Sequence, residues 1–154
     1  VEKVNYDLVN FSSFGGIIFT SANAIKFLDL KSIDKKILCF CVGEATEKIA
    51  RNNGFQNVIA AEGNVENLKE LILQNFDKKN GKLIYVSGET ISIDLDQQLL
   101  REGYDVKRII NYQIIAIPLI YHNRFQSFSR RKHFLSQAKC KLFLSQLRTG
   151  LKIE

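Results

Sequence analysis

The sequence lacks long apolar runs, carries few cysteines and histidines, and has none of the usual glycine patterns for nucleotides. Each gap removes a class of function. No stretch approaches the roughly 20 apolar residues that a membrane span needs. Val1-Glu2-Lys3-Val4-Asn5-Tyr6-Asp7 lacks the basic start and apolar centre of a secretory leader. The expectation is a cytoplasmic protein without membrane contact. The three cysteines are odd in number and show no CxxC spacing, which argues against a disulfide framework. Cys39 and Cys41 lie two apart in an apolar run, so on a strand both point to one face as small buried hydrophobes. His122 and His133 have no partner at ligand spacing, and no metal site is expected. The absence of a dinucleotide GxGxxG fingerprint and of a P-loop speaks against both nucleotide classes. No nucleophile-elbow serine is present either. The chain begins with valine, as an internal fragment, a processed end or an alternative start codon would.

What is there is ordinary globular material: 154 residues, 45% apolar and 25% charged, enough for one domain with a buried core. The net charge of +6 resembles a nucleic-acid footprint until it is located. Arg124, Arg130, Arg131, Lys132, Lys139, Lys141, Arg148 and Lys152 follow Ile120 against Glu154 alone, so the basicity belongs to the tail and the remainder is near neutral.

Residues 1–15 show no sustained period and read as a loop or short helix, a lead-in segment. From Gly16 the pattern is regular. Ile17-Ile18-Phe19 is a β-favouring run, and Ala24, Ile25 and Leu28 then follow Ser21 at the intervals of one helix face, with Thr20 and Ser21 where an N-cap belongs. Lys36-Ile37-Leu38-Cys39-Phe40-Cys41-Val42 reads as a central parallel strand. Glu44–Arg51 is a helix whose acid-to-base polarity and Asn53-Gly54 stop agree. Asn57–Ala61 is a third strand, and Asn64 caps a helix with Leu68, Leu71 and Ile72 inward. Lys82–Val86 is a fourth, followed by a helix with Leu95, Leu99 and Leu100 inward and stopped by Gly103. Val106–Tyr112 is the fifth. Strands alternating with helices imply right-handed crossovers, hence an α/β fold with a doubly wound five-stranded parallel sheet.

In such a sheet the C-terminal ends of the strands share one edge, where ligands bind. Thr20-Ser21-Ala22-Asn23, Gly43-Glu44-Ala45-Thr46 and Ser87-Gly88-Glu89-Thr90 all follow strands and offer hydroxyls beside helix-start amides, which suit a carboxylate or phosphate. The competing reading is that Ser21 caps only its own helix.

These turns resemble those of the uroporphyrinogen-III synthase family. The resemblance is carried by Ile17-Ile18-Phe19-Thr20-Ser21-Ala22-Asn23-Ala24, Val42-Gly43-Glu44-Ala45-Thr46, Ser87-Gly88-Glu89 and Asn111-Tyr112-Gln113, in the family's order over about residues 15–118. It implies a flavodoxin-like half of a two-domain synthase. The implied activity is that of a hydro-lyase of haem biosynthesis. Hydroxymethylbilane, a linear tetrapyrrole with eight carboxylates, is closed to uroporphyrinogen III with loss of water and inversion of the last ring, and no cofactor is needed. On this resemblance Thr20, Ser21, Asn23, Gly43, Thr46, Ser87, Gly88 and Glu89 bind substrate. Tyr112 matches the family's tyrosine that assists departure of the hydroxyl, with the competing reading that it only anchors the fifth strand.

The family's other domain flanks this one in sequence. Here Lys141-Leu142-Phe143-Leu144-Ser145-Gln146 is a weak likeness to one of its strands. The expected organisation is a lead-in at 1–15, an α/β domain at 16–118, and at 119–154 a basic tail that is a remnant or truncated start of the second domain. The resemblance implies that a chain holding one of the two domains lacks half of the family's cleft. The alternative is a non-catalytic α/β module that binds an anionic small molecule. A third reading, nucleic-acid binding through Phe125, Phe128 and Phe134 among the tail's basic residues, has neither a motif nor a basic globular face behind it, so no nucleic acid is expected. A monomer is expected.

Overall fold

The computed structural model describes residues 1–115. Expectations for His122, His133, Phe125, Phe128, Phe134, the Lys141–Gln146 stretch and the basic tail at 119–154 lie outside the described residues. The alternation read from the sequence is present: strands β1 (Glu2–Lys3), β2 (Phe14–Phe19), β3 (Leu38–Val42), β4 (Asn57–Ala61), β5 (Lys82–Gly88) and β6 (Val106–Gln113) interleave with helices α1 (Ala22–Lys26), α2 (Gly43–Asn52), α3 (Val65–Asn75) and α4 (Leu95–Arg101). The sheet is six-stranded in the order β1-β6-β5-β2-β3-β4. β2 through β6 pair in parallel, and β1 adds antiparallel to β6.

Two expectations are corrected here. The strand count is six, because the lead-in segment contributes an edge strand, and β2 begins at Phe14 inside the stretch assigned to that segment. Among the parallel strands the order is third, second, first, fourth, fifth, where a flavodoxin-like half has second, first, third, fourth, fifth. The doubly wound class stands. The reversal of strand order therefore falls between β2 and β5.

That switch divides the core. α1 and α2 cover one face, with Ala24, Ile25 and Ala50 against Ile17, Phe19, Cys39, Cys41, Ile84 and Val86. α3 and α4 cover the other, with Leu68, Ile72, Leu95 and Leu99 against Ile18, Phe40, Leu83 and Tyr85. This is the arrangement that right-handed crossovers require when the chain turns back past its first strand. Strands buried on both faces carry continuous apolar runs, and each fully buried Ile or Phe contributes about 1.5–3 kcal/mol by leaving water. Leu100 departs from its expected inward place and is exposed, while Leu95 and Leu99 alone hold the α4 stripe. Asn64 caps α3 as expected, its Oδ1 accepting from the Asn67 amide at 3.0 Å. Cys39 and Cys41 share a face, buried, with their sulfurs 3.7 Å apart. Their mutual hydrogen bond and burial push the Cys39 thiol up, away from reactivity. Among the described residues no helix is long and apolar enough to cross a membrane.

Candidate functional site

The turns after β2, β3 and β5 lie on the C-terminal edge of the parallel sheet, and those after β2 and β5 flank the switch point. Thr20, Ser21, Asn23, Gly43, Thr46, Ser87, Gly88 and Glu89 are thus on one edge. Among the described residues, a groove of about 380 Å³ between α1 and α2 includes Asn23 alone from this set. Another, of about 410 Å³, opens at the opposite edge around Phe14, Gly15 and Asn80.

Each turn uses its polar groups differently. Ser21 is the N-cap of α1, and its Oγ accepts from the Asn23 amide at 3.2 Å. Thr20 reaches across the switch point, its Oγ1 lying 3.2 Å from the Tyr85 hydroxyl. α2 begins directly at Gly43, whose φ of 75° favours glycine, and no side chain caps that helix. A Cβ on Gly43 would meet nothing within 4 Å, so the backbone there faces open space. In the same first turn Thr46 is 5% exposed, and its hydroxyl has no hydrogen-bond partner among the described residues.

The turn after β5 is organised by β6. Register runs from Ser87 opposite Ile110 to Gly88 opposite Tyr112, passing over Asn111. This bulge places two successive side chains on the α1 face, where strict alternation would part them. Asn111, fully buried, donates from Nδ2 to the Ala24 carbonyl at 2.7 Å. α1 is only five residues long, and Asn111 thus satisfies a carbonyl that a longer helix would have bonded itself. Its Oδ1 has no hydrogen-bond partner among the described residues. Tyr112 turns onto the same face beside Phe27, with ring centroids 6.4 Å apart. Its ring covers Gly88 so closely that a Cβ there would lie 2.7 Å from it. The Tyr112 hydroxyl makes no hydrogen bond among the described residues, while its backbone carbonyl accepts from the Glu89 amide at 2.9 Å.

On the α4 face the same edge is fully knitted. Ser87 is buried and out of direct reach; its hydroxyl donates to the Gly88 carbonyl at 3.1 Å and accepts from Arg108 Nε at 2.8 Å. Arg108 also donates from Nη2 to the carbonyls of Gly88, at 3.0 Å, and Glu89, at 3.3 Å. Its guanidinium carbon is 6.0 Å from the Tyr85 ring centroid. Burial pushes the Tyr85 hydroxyl above the usual phenol range, opposed by Thr20 and the Arg108 charge and reinforced by Asp96 and Tyr112. The sequence reading missed Arg108 because Lys107-Arg108 looks like an ordinary charged pair on a strand.

A doubly wound α/β unit with polar turns along the C-terminal edge of its sheet is an architecture shared by many proteins of different function. The particular family follows from comparison with known sequences: the chain belongs to the uroporphyrinogen-III synthase HemD family, whose model matches residues 2–132. Comparison with curated proteins gives no match. Among solved structures the fold is similar to the crystal structure of uroporphyrinogen-III synthetase from Helicobacter pylori 26695. The TM-score is 0.57 at 24% identity, over 80% of this chain and 58% of that one. The chain therefore spans less than two thirds of that structure's length.

Proposed function

We propose that this chain provides the α/β domain of a uroporphyrinogen-III synthase, a hydro-lyase of tetrapyrrole synthesis, and that its C-terminal sheet edge holds hydroxymethylbilane by its carboxylates during ring closure. The observation that carries this reading is the gathering of the family's turns, Thr20-Ser21, Gly43–Thr46 and Ser87–Glu89, at one edge, with Tyr112 laid onto Gly88 by the bulge in β6. Open amides at the start of α2 and the unpartnered Thr46 hydroxyl are donors for carboxylate oxygens.

Chemically, the task is to hold a flexible chain so that its two ends meet before solvent intervenes, and positioning supplies most of such a rate gain. Tyr112 has a hydroxyl free to donate to the departing hydroxyl group, where loss of water begins. Thr20, Ser21, Asn23, Gly88 and Glu89 shape the edge around it, with 16–118 as the domain and the basic residues beyond it as a separate segment. The working form is a monomer in the cytoplasm that engages neither nucleic acid nor membrane.

The test is to incubate the chain with enzymatically generated hydroxymethylbilane and separate the product isomers. Type III product above the spontaneous type I background supports the reading. Saturable binding with only type I product would make the chain a tetrapyrrole-binding module, and absence of binding would remove the tetrapyrrole altogether.

A further inference from the structure

Arg108 is the feature of this edge that the family turns do not account for. A guanidinium carries five N–H donors in a rigid fork. Nε and Nη2 are engaged by Ser87, Gly88 and Glu89, and Nη1 has no hydrogen-bond partner among the described residues. Arg108 takes part in none of the ion pairs among the described residues, which are Arg51–Glu47, Lys69–Glu102 and Lys82–Asp105; the Asp96 carboxylate acts on the same Tyr85 hydroxyl without a direct bond to the guanidinium. The side chain is half-buried, flanked by the Tyr85 ring, so it gives up part of its hydration without forming a salt bridge. Ser87 donates its hydroxyl hydrogen bond to the Gly88 carbonyl, which leaves its oxygen to accept from Nε and fixes the plane of the fork. A cation held in a set plane with one amino group unused, at the C-terminal end of β5, is built for a planar anion.

We infer that Arg108 is a specificity-determining residue that receives one carboxylate of the tetrapyrrole, on the α4 side of the edge, with Ser87 as its positioning residue. The inference rests on the proposed function and deepens it. Ser87, chosen from the sequence as a ligand, acts through Arg108. The α1 side of the edge, with Tyr112, and the α4 side, with Arg108, then hold different parts of one substrate.

The experiment follows binding of uroporphyrin III, an octacarboxylate, to the chain and its variants by fluorescence. Arg108→Gln should weaken binding about tenfold to a hundredfold, the loss expected for a charge-assisted hydrogen bond. Arg108→Lys should recover part of it, since charge returns without the fork. Binding to the Gln variant should also fall less steeply with salt than binding to the unmutated chain, because one screened charge contact is gone. A residue that merely props the turn would leave the salt dependence unchanged. Should either variant fold poorly, the unmutated chain carries the test: with ¹⁵N-labelled arginine, the Arg108 Nε–H signal should shift on saturation with uroporphyrin III. An unmoved signal, or equal affinity and salt dependence for Arg108→Gln, would overturn this inference while leaving the proposed function standing. Failure of the unmutated chain to bind uroporphyrin III would overturn the proposed function and this inference with it.

Discussion

β2 and β3 end side by side on one edge and pass into their helices in opposite ways. After β2 the hydroxyl of Ser21 accepts the Asn23 amide, so the short α1 consumes its own first donor. After β3 the chain swings through Gly43 at positive φ straight into the ten-residue α2 with no side-chain cap. The hydroxyl turn is the stronger signal in sequence, yet part of its donor capacity is spent internally. The glycine turn has no capping side chain at its start and leaves its amides available. A third case lies after β5, where the turn is closed on one face by the Tyr112 ring and on the other by Arg108. A polar motif thus marks where a helix begins, whereas the presence or absence of a cap decides whether that beginning can serve a ligand.

Substitutions can break or sharpen this contrast. The largest effect is expected at the third turn: where the chain closes the ring as proposed, Tyr112→Phe should slow that step about 10²-fold, at the low end for general acid help, with tetrapyrrole affinity nearly unchanged. Product-isomer kinetics beside a binding titration would check it, and an unchanged rate would reduce Tyr112 to a packing residue. Gly43→Ala comes next. The space is open, but a Cβ at φ 75° is strained by about 1–2 kcal/mol, so chemical denaturation should show that loss, with affinity falling as the start of α2 shifts. Ser21→Ala removes the cap of α1 and should cost about 1 kcal/mol of stability while leaving affinity close to that of the unmutated chain. Thr46→Val should do the reverse, leaving the melting temperature unmoved and weakening tetrapyrrole binding a few-fold, as for one neutral hydrogen bond. If Ser21→Ala lost affinity and Thr46→Val did not, the contrast between the turns would be inverted. The smallest effect is at Thr20→Val: loss of its hydrogen bond should move the Tyr85 titration still further above the usual phenol range, seen as a later rise in ultraviolet absorbance on alkaline titration.

The sequence makes the five parallel strands legible because each is an apolar run closed by a turn, and buried strands need that pattern on both faces. Glu2-Lys3 could not be read as a strand, since a two-residue edge pair that is exposed throughout has no alternation to show. The outward place of Leu100 was hidden for a related reason. A seven-residue helix at the margin of the sheet buries a narrower stripe than three leucines suggest. At the site, the common edge followed from the parallel order, but the facing of Tyr112 did not. Asn111-Tyr112 reads as plain alternation, and only the register against Ser87 and Gly88 shows that the bulge turns both toward α1. Arg108 was equally silent, because nothing in its neighbours announces that Ser87 and two carbonyls lie across the strand pair.

The central claim is that the C-terminal edge of the sheet, with open donors at α2 and both closures of the β5 turn, receives the carboxylates of a tetrapyrrole. The most direct measurement is a titration of the uniformly ¹⁵N-labelled chain with uroporphyrin III, followed amide by amide. The account predicts saturable shifts concentrated at residues 20–23, 43–46 and 87–90, larger at Gly43–Thr46 than at the internally bonded Asn23, with Phe14, Asn80 and the rest of the opposite edge unmoved. Shifts centred on that opposite edge, or none at saturating tetrapyrrole, would contradict it.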